Sequence, residues 1–164
     1  MVRLKSRYIL FEVLYPEADT LDGTLKGRGN KDILLQHHRV SPGQITTKTI
    51  IYELRRVLQF NFGDYGAGKV NSLLQVKYFS NRTSTGIIRC SREDYELVII
   101  ALMLMNKLDE VEGLIINPVK VSGTIKRIEQ HAIRRNERLL AIIHDNKERA
   151  TEHFDSISDD DTED

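Results

Sequence analysis

The chain has 164 residues, 24 basic and 24 acidic side chains and 40% apolar content, which suits one domain with a single hydrophobic core. The longest apolar run, Leu97 to Met105, is far shorter than the roughly 20 residues a bilayer span requires. A lone Cys90 excludes an internal disulfide and a cysteine-built metal cluster, and reads as a small buried hydrophobe.

Charge is unevenly spread. Lys147 to Asp164 is dominated by acids, so the remainder of this formally neutral chain is positive, the footprint of a polyanion binder. No secretory leader is expected, because Arg3, Lys5 and Arg7 already lie inside a strand pattern. The sequon Asn81-Arg82-Thr83 then carries no meaning.

Lys5 to Leu14 alternates as a strand. Arg3, Lys5 and Arg7 share a face with Ile9, Phe11 and Val13, so the strand opens cationic and continues as core. Three cations at alternate positions, about 7 Å apart, match the spacing of phosphates along a nucleic-acid strand. Residues 16–41 are rich in Asp, Gly, Lys and Asn and read as a mobile excursion with, at most, a helical turn at Ile33 to Leu35. The adjacent His37 and His38 point different ways and lack a third ligand, so no metal is expected there.

From Thr46, the positions Ile50, Leu54, Val57 and Leu58 form one helical face. A glycine-rich connection with three aromatics follows, Phe60 to Lys69. Gly63 to Lys69 fits the G-x-x-x-x-G-K part of a phosphate loop, but position 70 is Val, and the segment is expected to follow a helix and open a strand. Lys69 is therefore read as an exposed cation beside a tight turn.

Val70 to Phe79 and Thr85 to Cys90 read as a hairpin across the polar run Ser80 to Ser84. Strict alternation puts Ser72, Leu74, Val76 and Tyr78 on one face and Leu73, Gln75, Lys77 and Phe79 on the other. Glu93 to Leu108 is a helix behind Ser91 as N-cap. It is apolar on every side, so a sheet alone cannot cover it; either the C-terminal helix packs over it or a protein partner does, and Leu102, Met103 and Met105 are the expected contacts to a partner. Leu114 to Val121 closes the pattern as a strand whose Pro118 demands an edge or a bulge.

Thr124 then opens a long helix, with Ile125, Ile128, Ala132, Leu139 and Ile143 on one side. Arg127, His131, Arg134 and Arg138 form a stripe opposite, with Lys126 and Arg135 flanking it. Four cationic positions without an acid favour a phosphate-backbone contact. From about residue 147 the chain reads as a disordered acidic tail, and Asp159 to Asp161 as a solvated run rather than a metal site. The expectation is thus one α+β domain over 1–146 in the order β, α, β, β, α, β, with a long C-terminal helix. This is the ferredoxin-like, RRM-like pattern.

Several stretches are similar to one family. They are Met1 to Tyr8, Phe62 to Gly66 with Lys69, Tyr78 to Asn81 with Thr85 to Cys90, and Asn117 to Ile125. They resemble the "Pop five" family, RRM-like protein subunits of eukaryotic nuclear ribonuclease P and ribonuclease MRP, and lie close to its fungal members. The resemblance weakens over Glu17 to Lys31 and ends before the acidic tail. It implies a subunit that is not itself an enzyme. In those particles the catalytic RNA holds the Mg2+ ions that remove the 5′ leader from precursor tRNA, and the protein binds no cofactor of its own.

The resemblance further implies a TIM-barrel protein subunit and a second small RRM-like subunit as partners, and a place in the nucleus and nucleolus. No membrane is implied. By matching position, Arg3, Lys5 and Arg7 would lie against the catalytic RNA, with precursor tRNA near the N-terminus. Charge alone adds Lys69, Arg89, Arg127, Arg134 and Arg138. The strand Thr85 to Cys90 lacks the stacking aromatic of an RRM, so structured RNA is expected to be gripped by backbone and shape. The alternative reading is a pure protein adaptor without RNA contact. A self-sufficient enzyme is disfavoured, since no nucleophile or acid-base grouping falls on the expected elements.

Overall fold

The structure, a computed structural model, describes residues 4–16 and 29–144; expectations placed on Arg3, on 17–28 and on the acidic tail lie outside the described residues. In chain order the elements are β1 (Ser6–Leu14), α1 (Asn30–His37), α2 (Thr47–Asn71), β2 (Gln75–Ser80) and β3 (Thr85–Ser91). They continue as α3 (Tyr95–Leu104), β4 (Lys107–Leu108), β5 (Val111–Glu112), β6 (Ile115–Ser122) and α4 (Ile125–His144). The main sheet is antiparallel throughout, in the order β2-β3-β1-β6, the strand order of a ferredoxin-like fold.

Alternation along β1 decides what each side of the sheet packs against. Ile9, Phe11 and Val13 enter the main core with Ile50, Leu54 and Leu58 of α2, and with Val98, Ala101 and Leu102 of α3. Leu10, with Ile87 of β3, faces the other way and meets Ile128 of α4, flanked by Tyr8, Val119 and Ala132. The sheet is thus a filling between α2 and α3 on one side and α4 on the other. On α4, Ile128 and Ile142 are the buried residues, whereas the expected core residue Ile125 is exposed.

Four expectations change. The excursion over 16–41 contains the eight-residue α1, whose last turn is held by Leu34, the acceptor of both the backbone N–H and Nδ1 of His38. The glycine-rich connection is helical: α2 runs on to Asn71, broken only at Gly63, whose φ of +67° a side chain would strain. Buried Gly66, Ala67 and Val70 anchor this second half, so tertiary packing overrides its poor helix propensity. Neither a phosphate loop nor a strand at Val70 survives.

A bulge between Val76 and Tyr78 also shifts the phase of β2, so Val76 and Phe79 both pack on the main core while Tyr78 faces the opposite side beside Ile87. Finally, α3 begins at Tyr95, and Ser91 Oγ accepts the Glu93 N–H at 3.2 Å in the turn before it. As Pro118 required, β6 is an edge strand, and its pairing with β1 slips between Lys120 and Pro118.

Gly86 lies across from Phe11 on one side and Phe79 on the other. The two rings stack at 6.2 Å over it. A Cβ at Gly86 would fall 2.5 Å from Phe11 Cζ and 2.9 Å from the Tyr78 carbonyl oxygen, which is backbone and cannot swing away. Gly86→Ala is therefore expected to cost about 1–3 kcal/mol by overpacking, read as a lower midpoint in urea with an unchanged slope.

Candidate nucleic-acid interface

One end of the sheet gathers the cations. There the start of β1 lies beside the ends of β3 and β6, with Ser6 opposite Ser91 and Tyr8 opposite Ser122. Lys5 is exposed just before β1, and its carbonyl accepts the Arg92 N–H at 3.0 Å. Arg7 extends over Gly123, where a Cβ would stand 3.2 Å from Arg7 Nη1, a tight contact that the tip of the arginine could relieve by a small shift. Arg89 is steered by its Nε–H to Ser6 Oγ, 3.1 Å away.

From Gly123 the chain turns into α4, whose first three turns project Arg127, Gln130, His131 and Arg134 over the same end. An open cleft of about 740 Å³ is lined by these four together with Arg7 and Lys120. A second, of about 440 Å³, is lined by Lys5, Arg7, Tyr8 and Arg89. Arg7 and Gly123 border both, so the clefts are continuous.

No aspartate or glutamate lines either cleft. Among the described residues, Lys5, Arg7, Arg89, Lys120, Arg127 and Arg134 form no ion pair with a carboxylate. Elsewhere Arg56 holds Glu53 at 2.8 Å and Arg135 holds Glu12 at 2.7 Å. Unpaired guanidinium groups in a concave, acid-free setting are suited to phosphate oxygens, which they bind in a fork with charge-assisted hydrogen bonds.

The remaining expected RNA contacts are placed differently. Arg138 is exposed on α4 but lines neither cleft. Lys69 stands in the last turn of α2 rather than beside a loop, 5.3 Å above the Tyr65 ring and 3.8 Å from Asp94 Oδ1. Its side chain is half exposed.

Arg135, one residue from the stripe, turns inward to a buried cluster. Its Nη2 donates to Glu12 Oε1, as does Asn117 Nδ2 at 2.8 Å, while His38 Nε2 lies 3.5 Å from Glu12 Oε2. Burial alone would push the Glu12 carboxyl up; His38, then Arg135 and Asn117, outweigh it and hold the group at about 2. His38 is raised, chiefly by Glu12, against the opposing effect of its own burial. Because His38 Nδ1 must donate to the Leu34 carbonyl, Nε2 carries a proton, and the ring its charge, only when doubly protonated; Nε2 then faces Glu12 as an ion pair at 3.5 Å.

These groups are structural. The cluster ties β1, β6, α1 and α4 together and thereby fixes the angle at which α4 presents Arg127 and Arg134. Cys90 has no nucleophilic character: burial first, then Asp94, push its thiol up to about 12. Among the described residues, no group of three or more His, Cys, Asp or Glu is placed to hold a metal ion.

Of the expected partner contacts, Leu102 and Met105 are buried in the main core and cannot touch a partner without opening the fold, which corrects their assignment. Met103 is 66% exposed, and it shares the outer side of α3 with Ile100 and Leu104, both about half exposed. Leu104 and the strongly exposed Phe60 of α2 border one shallow depression.

Lys120, Tyr8 and Gln130 were not among the expected site residues. Lys120 was within reach of a register argument: it pairs with Leu10 and so belongs to the α4 side of an edge strand. Tyr8 and Gln130 carry no local signal.

The family model described as Rpp14/Pop5 matches residues 7–133. "Ribonuclease P/MRP protein subunit POP5" of Saccharomyces cerevisiae is 63% identical over 143 residues, covering 87% of this chain and 82% of that protein. The protein of the same name in Schizosaccharomyces pombe is 47% identical over 137 residues, 84% of this chain and 89% of its own. "Ribonuclease P protein component 2" of Pyrococcus horikoshii is 33% identical over 111 residues, 68% and 88% of the two chains. With an antiparallel ferredoxin-like sheet beneath a long C-terminal helix, and a matching stretch that runs from β1 into α4, the chain belongs to the Rpp14/Pop5 family.

Proposed function

We propose that this chain is a non-catalytic RNA-binding and scaffolding subunit of nuclear ribonuclease P, which removes the 5′ leader of precursor tRNA, and of ribonuclease MRP in rRNA processing. The names of its relatives support the particle. The observation that carries the RNA contact is the acid-free pair of clefts in which, among the described residues, Lys5, Arg7, Arg89, Lys120, Arg127 and Arg134 form no ion pair with a carboxylate.

The protein contributes positive charge and shape to a folded ribozyme, whose Mg2+ ions carry out the cleavage. Precursor tRNA would be met near the N-terminus. The α4 helix lies over the side of the sheet on which an RRM would stack bases, covering Leu10 and Ile87. Backbone recognition of structured RNA follows from that.

The apolar outer side of α3 is assigned to the protein partners, a TIM-barrel subunit and a second small RRM-like subunit. Met103→Asp together with Leu104→Asp should leave the isolated chain within about 0.5 kcal/mol of its stability, since both side chains are half exposed or more. The TIM-barrel subunit should be lost from the purified particle; its full retention would move the contact elsewhere. Affinity purification from nuclear or nucleolar extract tests the whole reading. It should recover one abundant structured RNA together with metal-dependent cleavage of precursor tRNA. Protein partners without RNA would instead establish the adaptor reading.

A further inference from the structure

A third concave region lies on the far side of Arg89, and the proposed function does not use it. It is an open cleft of about 460 Å³ between the first turns of α2 and the edge strand β2, lined by Lys48, Ile51, Arg55, Gln75, Val76 and Arg89. No carboxylate lines it. Lys48 and Arg55 are exposed, and among the described residues neither forms an ion pair. The next residue along, Arg56, points away and is tied to Glu53 at 2.8 Å. The helix thus separates a neutralised cation from two free ones.

Seven residues separate Lys48 from Arg55, two turns or about 10 Å along the axis, with half-buried Ile51 between them as the floor. Arg89 borders both this cleft and the one formed by Lys5, Arg7 and Tyr8. The cationic surface therefore continues without an acidic break from Arg134 on α4, past Arg7 and Arg89, to Arg55 and Lys48 on α2.

We infer that the cleft of Lys48, Arg55 and Arg89 is a second phosphate-backbone site, which takes a segment of the same folded RNA apart from the one held by α4. The inference rests on the RNA-binding reading proposed above, and its continuity with that surface favours RNA over an acidic protein segment. A chain that touches RNA on both sides of β3 works as a brace between two segments rather than as a clip on one.

Hydroxyl-radical footprinting of a ribonuclease P RNA transcript with the full-length chain tests it. The unaltered protein should protect two separate backbone segments. Lys48→Ala with Arg55→Ala should expose one of them and lower the log-log salt slope by close to 2, at about 0.9 for each lost contact. Arg127→Ala with Arg134→Ala should expose the other, and Lys48→Arg with Arg55→Lys should retain both.

If the α2 variant protects both segments while the α4 variant does not, the second site is overturned and the RNA reading stands. If neither variant alters protection, both are overturned. If the α2 variant binds RNA normally but loses a protein from the purified particle, the cleft seats an acidic protein segment and the inference fails. An unchanged thermal midpoint in each variant keeps these outcomes separate from misfolding.

Discussion

Replacing Arg7, Arg127 and Arg134 together by Ala lowers the affinity of the chain for folded ribonuclease P RNA by roughly a hundred-fold near physiological salt. Each phosphate contact releases close to one counterion, worth about 1 kcal/mol at that ionic strength, and three are removed. The log-log slope of affinity against salt should fall by nearly three units, measured by filter binding over a range of about 50 to 200 mM salt. Arg127 and Arg134 are exposed, and Arg7 donates only a 3.3 Å bond to the Ser6 carbonyl, so the fold should persist. Lys69→Ala is a single-charge control outside the clefts: Lys69 lies beside Asp94 and Tyr65, and its loss should lower the slope by less than one unit. A triple variant with an unaltered slope would remove these clefts from the RNA surface.

Glu12→Ala should destabilise the chain by about 3–4 kcal/mol, the usual cost of breaking a buried ion pair from one side. The carboxylate is 3% exposed and accepts from both Arg135 and Asn117, and Arg135 Nε is itself buried without a hydrogen-bond partner. Once Glu12 is gone, nothing in the cluster compensates that charge.

The pH dependence has two limbs. Glu12 titrates near 2 when folded against 4.5 as a free group, so its contribution is complete above 4.5 and is lost as the pH falls toward 2. His38 is raised above 6.5, so its contribution is complete below 6.5 and is lost as the pH rises through the folded value. The cluster should therefore stabilise most between about pH 4.5 and 6.5. Urea unfolding across pH should show the acid limb diminished in Glu12→Gln and the alkaline limb diminished in His38→Gln. Limbs of equal size in the variants would show that the cluster does not titrate with folding.

Periodicity makes the ferredoxin-like order legible, because Ile50, Leu54, Val57 and Leu58 share a helical face and β1 alternates cleanly. Pro118 likewise announces an irregular edge strand from its missing amide alone. What stays hidden depends on contacts distant in sequence. Glu12 reads as a polar position in a strand, and its partner Arg135 lies 123 residues away on a helix whose other arginines face solvent. Arg135 and Arg134 are adjacent and chemically identical, yet one is structural and the other lines the cleft. The bulge in β2 is equally silent, and it puts Phe79 on the core beside Val76, which strict alternation places on opposite faces.

Tyr15, the chain from His37 to Ser41, and Ser84 are joined in one clamp. The Tyr15 N–H donates to the His37 carbonyl at 3.1 Å, and the Tyr15 hydroxyl donates to Ser41 Oγ at 2.6 Å. Ser41 Oγ donates to Ser84 Oγ at 2.8 Å, and Ser84 Oγ to the Arg39 carbonyl at 2.5 Å. With its two anchor points held together by their own bonds, an insertion between them adds only a slowly growing closure entropy, about 0.6 kcal/mol for each doubling of its length. A change of chain length between Tyr15 and His37 should therefore leave the arginines of the clefts where they are, the clamp bearing the difference.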